Sequence, residues 1–121
     1  MNVRDIAAAI AECRLAHKVE TEKGTLYVRG MNGAERVAYY AAINDPEASQ
    51  DDQLSLNQRL IVSQLCDEDG SPAFPETPEG QAEGLAIVMK WDIPAFVSPC
   101  VDKILAASGL KSDSVEEVEK K

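Results

Sequence analysis

The sequence predicts a small, mostly α (α+β) domain of four to five helices with one N-terminal β-hairpin. Three observations lead there. Apolar residues recur at helical spacing along most of the chain. One stretch, about residues 17–29, switches to alternation broken by a glycine turn. Aromatic residues are 5% of the 121, so the core must be built from Leu, Ile, Val and Ala, which suits packed helices better than a sandwich.

The first helix is expected from about Val3 to Leu15. Val3, Ile6, Ala7, Ile10 and Cys13 share a stripe, and the alanines favour a helix intrinsically. Lys18-Val19-Glu20-Thr21 then alternates. Glu22-Lys23-Gly24 supplies a turn, and Thr25-Leu26-Tyr27-Val28-Arg29 is β-branched and aromatic, which completes a hairpin. A lone hairpin is marginal in water, so it must pack on helices or extend a larger sheet.

Asn32 followed by Glu35 reads as a capping box that starts a second helix. That helix runs to about Ile43, with Ala34, Val37, Ala38 and Ala41 on its core face and Tyr40 at the border. Asn44-Asp45-Pro46 stops it. Residues 45–53 are polar and read as a solvated connection. Leu56, Leu60, Ile61, Val62 and Leu65 then form the most apolar helix, ending near Cys66.

Cys66-Asp67-Glu68-Asp69-Gly70 is an acidic turn before a short extended piece, Ala73-Phe74. A calcium loop needs oxygen ligands at alternate positions and a closing glutamate, and the pattern here stops after two acids. Thr77 caps a fourth helix whose first residue is Pro78, with Leu85, Val88 and Met89 on one face. The last helical region begins at Asp92-Ile93-Pro94. Pro99 is expected in the first turn of a new helix capped by Ser98, because that placement avoids a broken hydrogen bond. Gly109 ends the helix, and Leu110 folds back on it.

Composition narrows function. With 45% hydrophobic and 27% charged residues the chain is globular, and residues 1–110 suffice for a single domain. Residues 111–121 lack an apolar stripe and are expected as a charged flexible tail. The net charge of −9 argues against a nucleic-acid partner, whose phosphates need Lys and Arg. No leader or membrane span is read from the sequence, so the cytoplasm is the expected compartment.

No catalytic site is expected. The cysteines, Cys13, Cys66 and Cys100, lack metal or redox spacing. His17 has no orienting third group for a nucleophile pair. The glycines form no phosphate loop. No metal or cofactor is implied, and the chain reads as a protein-binding module without enzyme activity. Trp91, Ile93, Phe96 and Val97 form the densest aromatic and apolar cluster, the composition favoured at interface centres. Leu26 and Val28 on the hairpin join them as candidate partner-binding residues, since a sheet edge can accept a strand.

Tyr27-Val28-Arg29-Gly30-Met31-Asn32-Gly33-Ala34-Glu35-Arg36 resembles the strand-to-helix junction of tail assembly chaperones of long-tailed bacteriophages and prophages. Leu60 to Leu65, Cys66-Asp67-Glu68-Asp69-Gly70 and Phe74 are similar to the family's helix, acidic turn and extended piece. Ala106-Ala107-Ser108-Gly109-Leu110, followed by an acidic tail, resembles its ending. The likeness covers roughly residues 17–121, and its specificity lies in the order of the motifs. It implies a chaperone in the bacterial host cytoplasm that binds the tape measure protein, helps tail tube protein assemble around it, and is absent from the mature virion. Self-association into a homo-oligomer is left open. The alternative, from charge alone, is an acidic DNA mimic or another protein-binding inhibitor encoded by a phage or prophage.

Overall fold

Asn2 begins the first element. Its side-chain oxygen accepts from the Asp5 N–H at 2.8 Å, and α1 follows from Val3 to Glu12. The structure is a computed structural model and describes residues 2–110. The tail expected at 111–121 lies outside the described residues.

Strands β1 (Ala16–Thr21) and β2 (Gly24–Arg29) form the predicted hairpin. Their register runs from Ala16 opposite Arg29 to Thr21 opposite Gly24. Gly24 has φ +145, a conformation that side chains disfavour. A third strand, β3 (Leu65–Cys66), pairs antiparallel with Tyr27 and Val28. The sheet order is β1-β2-β3. The sequence alone predicts Leu65 and Cys66 at the end of a helix. Two apolar residues fit either state, and only pairing with β2 decides between them.

Helix α2 covers Gly33–Ile43 and has both halves of its capping box. A short helix, α3 (Gln50–Leu54), lies in the stretch read as a polar connection, with Ser49 accepting from the Asp52 N–H at 3.1 Å. Then come α4 (Leu56–Gln64), α5 (Pro78–Val88) and α6 (Ser98–Ala107), giving six α-helices among the described residues rather than four to five. Thr77 caps α5 as expected, accepting from the Gly80 N–H at 3.0 Å.

Ser98 does not act as a cap. Its backbone is helical, and its side chain makes no capping bond. A π turn, Ile93–Val97, runs directly into α6, and the true cap is Asp92, which accepts from the Ala95 N–H at 3.0 Å. The wider turn accommodates Pro99, which lacks an N–H and would crowd the carbonyl four residues back in a regular helix. At the far end, Gly109 adopts φ +84. Its N–H donates to Ala106 O and that of Leu110 to Leu105 O, which closes a Schellman motif.

The core lies where α4 and α6 pack on each other and on the sheet. Ile61, Val28, Val88, Cys100 and Ile104 are sealed from solvent there, each aliphatic chain contributing about 1.5–3 kcal/mol by leaving water. As the sequence predicts, α4 is the most buried helix. Helix α5 approaches it through Gly84, where a Cβ would stand 2.7 Å from Val62 Cγ1 and from Phe74 Cδ2.

Two helices face differently from the expectation. No residue of α1 or α2 is buried. In α1, Val3 and Ile10 are 82% and 67% exposed. In α2, Ala34, Val37, Ala38 and Ala41 all lie exposed, Val37 at 72%. The inward side of α2 carries Glu35, Tyr39 and Ala42 instead. The reason is tertiary: Glu35 turns in to meet Arg14, and Tyr39 packs against the core.

Candidate functional site

At the turn end of the hairpin the core opens into a shallow apolar pocket of about 320 Å³, with Leu26, Trp91 and Phe96 in its wall. Each comes from a different element. Leu26 pairs with buried Val19 across the strands, so it shares the inward face of the hairpin. The Trp91 N–H donates to Val88 O at 2.9 Å, which holds the indole just past α5. Phe96 sits in the π turn fixed by Asp92. The Trp91 and Phe96 rings meet edge to face, 6.5 Å apart and 67° inclined, a favourable aromatic arrangement. Thr21, Lys23, Gly24 and Thr25 at the hairpin tip complete the wall. The lining is chiefly hydrocarbon, so the pocket suits an apolar side chain.

Three of the six sequence-predicted residues therefore meet in one place. Ile93 is exposed on the same π turn but outside the pocket wall. Val28 and Val97 are corrections: they are 0% and 2% exposed. Strand alternation and the π turn direct both into the core, where a partner docking on the folded chain does not touch them.

The sequence reading missed the outward faces of α1 and α2. Val3, Ile6 and Ile10 form one apolar stripe. Val37 and Tyr40, with Ala34 and Ala41, form the other. The signal was present, because the helical periodicity of both stripes is plain. Periodicity marks a face as apolar but does not say which neighbour covers it.

Polar anchors hold these helices in place. Arg14 Nη2 donates to Gly30 O at 2.9 Å, to Glu35 Oε1 at 2.8 Å and to Gln64 Oε1 at 3.1 Å. Burial pushes the Glu35 carboxyl up. The Asn32 N–H, the Gln64 side chain and the Arg14 guanidinium together outweigh it and hold the pKa below its ordinary value. Arg29, at the end of β2, is buried. Its Nη2 donates to Ser63 O at 2.9 Å, Glu76 lies 3.9 Å from Nη1, and Nε has no partner.

Burial raises the Cys66 thiol, and it raises that of Cys100 to about 11. Both stay protonated at neutral pH, the opposite of an activated nucleophile. Cys13 and His17 line one shallow groove beside α1. Among the described residues, no three or more His, Cys, Asp or Glu side chains gather as a metal site. No single described helix is long and apolar enough to cross a membrane.

In comparisons with known proteins, no family model, no curated protein and no solved structure matches this chain.

Proposed function

We propose that this chain is a tail assembly chaperone of a long-tailed phage or prophage, without enzyme activity. It holds the tape measure protein in the bacterial host cytoplasm while tail tube protein assembles around it. It leaves before the virion is complete. The observation that carries the reading is the pair of amphipathic helices, α1 and α2, whose apolar stripes have no cover within the described residues.

A ten-residue helix such as α1 gains little stability alone, since isolated helices below about 12–15 residues are marginal in water. A partner that covers its stripe supplies the missing packing. A tape measure protein, long and helical with apolar stripes, offers that chemistry by helix-in-groove packing. The ordered resemblance from Tyr27 to Leu110 points to the same family.

The test is co-expression with the tape measure gene of the same genome. Co-purification and a rise in tape measure solubility are expected. If the two proteins separate and solubility stays at the level of the tape measure alone, the reading is wrong.

A further inference from the structure

The outward face of α2 differs from that of α1 in its charge setting. Val37 and Tyr40 lie exposed along it. At its C-terminal end, Gln53 Nε2 donates to Ala42 O at 3.1 Å and holds α3 against the last turn. Ile43 and Leu54, both exposed, lie at that end. So do Asp45, Glu47 and Asp51. Arg59 satisfies Asp52 at 2.5 Å, but none of those other three acids has a cation within ion-pair distance among the described residues.

The last turn of α2 also contains no basic residue. The helix dipole adds partial negative charge at the same end, even though Asn44 and Gln53 donate to two of the last carbonyls. Arg36, further back on the helix, is the nearest cation in the sequence. The face is thus apolar along its length and negative at one end.

We propose that this face docks an amphipathic helix of a partner protein whose apolar stripe is followed by lysine or arginine residues. The apolar stripe covers Val37 and Tyr40, and the basic residues reach Asp45, Glu47 and Asp51. A second copy of the chain is a poorer occupant, because its net charge of −9 opposes self-pairing at an acidic rim. The inference rests on the protein-binding reading above and adds the surface and the charge of the ligand.

The probe is a labelled synthetic helix of leucine and lysine, leucines at helical spacing, with a twin carrying glutamate in place of lysine. Each is titrated into the full chain by fluorescence anisotropy at low and high salt. The lysine helix is expected to bind. Val37→Asp should weaken it about tenfold or more, the loss typical of a residue at an interface centre. Because Val37 is exposed, the thermal melt of that variant should match wild type, and Val37→Ser serves as a milder second variant. Asp45→Asn, Glu47→Gln and Asp51→Asn combined should weaken binding and flatten its salt dependence. Ile87→Asp, at an exposed position of α5, should leave binding unchanged.

Equal binding by wild type and both Val37 variants would overturn the inference. So would equal affinity for the glutamate twin, or a change in sedimentation of the free chain on Val37→Asp, which would mark a self-association face. A tape measure protein that co-purifies equally with wild type and Val37→Asp sinks this inference and leaves the chaperone reading standing. Val37-dependent binding of the lysine helix without tape measure co-purification does the reverse.

Discussion

Glu35 Oε1 accepts from Arg14 Nη2 at 2.8 Å and from the Asn32 N–H at 2.9 Å. One carboxylate oxygen therefore closes the capping box of α2 and fastens the segment that follows α1. The two helices with outward apolar faces are tied to each other and, through Arg14 and Gln64, to α4. The arrangement presents both stripes from a fixed base.

Glu35→Ala removes half of the capping box and takes from Arg14 its carboxylate partner. A loss of about 1–2 kcal/mol is expected from the cap and the charged hydrogen bond together. Glu35→Gln keeps an acceptor and should lose less. Urea unfolding followed by circular dichroism measures both. Coincident midpoints for Glu35→Ala and wild type would show that the anchor is not stabilising.

The same carboxylate sets a pH dependence. Its pKa in the folded chain lies below the ordinary value of 4.5. A depressed pKa means that the unfolded chain binds the proton more readily. The stabilisation is thus full above pH 4.5 and disappears as pH falls through the folded value. Thermal melts from pH 6 down to about pH 3 should drop for wild type, and drop less steeply for Glu35→Gln. Parallel slopes would remove Glu35 from the explanation.

The local signals are legible in the sequence. Gly24 turns the hairpin, Asn32 and Glu35 cap α2, Thr77 and Pro78 start α5, and Gly109 ends α6. Each depends on a few adjacent residues. What failed depends on distant ones. Leu65–Cys66 becomes a strand because β2 lies beside it. The inward face of α2 is set by Arg14 and the core, not by its own alanines. Leu26, Trp91 and Phe96 were singled out separately, and only the fold brings them to one pocket. Val28 and Val97 carried the same apolar signal and went to the core instead, because a hydrophobic residue looks alike at a core and at an interface.

Gly84→Ala tests the contact between α4 and α5. The new methyl would stand 2.7 Å from both Val62 Cγ1 and Phe74 Cδ2. Phe74 is only partly buried, whereas Val62 sits in the core. Overpacking of this kind costs about 1–3 kcal/mol, while the better helix propensity of alanine returns about 1 kcal/mol. A net destabilisation is expected in chemical denaturation. A more stable variant would mean that α5 moves away from α4 at no cost.

The thiols should divide by burial. Cys13 is exposed, while Cys66 and Cys100 are buried, with Cys100 raised to about 11. Titration with a thiol-reactive disulfide at neutral pH should find one fast thiol in the native chain and all three cysteines after denaturation. Cys13→Ser should abolish the fast phase. A fast phase that survives this substitution would mean that the core opens readily.

The pocket beside Trp91 can be tested without disturbing its floor. Lys23 is exposed in the hairpin turn at the pocket wall, where a turn position tolerates a larger side chain. Lys23→Tyr adds a ring at the mouth while leaving Leu26, Trp91 and Phe96 in place. If the tape measure protein inserts a side chain there, the variant should bind it about tenfold more weakly, as loss of a central anchor does, with an unchanged melting temperature. Trp91 is the only tryptophan, so its emission should move to shorter wavelength when wild type forms the complex and less so for the variant. Unchanged affinity and unchanged emission would take the pocket out of the interface and leave the outward faces of α1 and α2 as the surfaces that hold the partner.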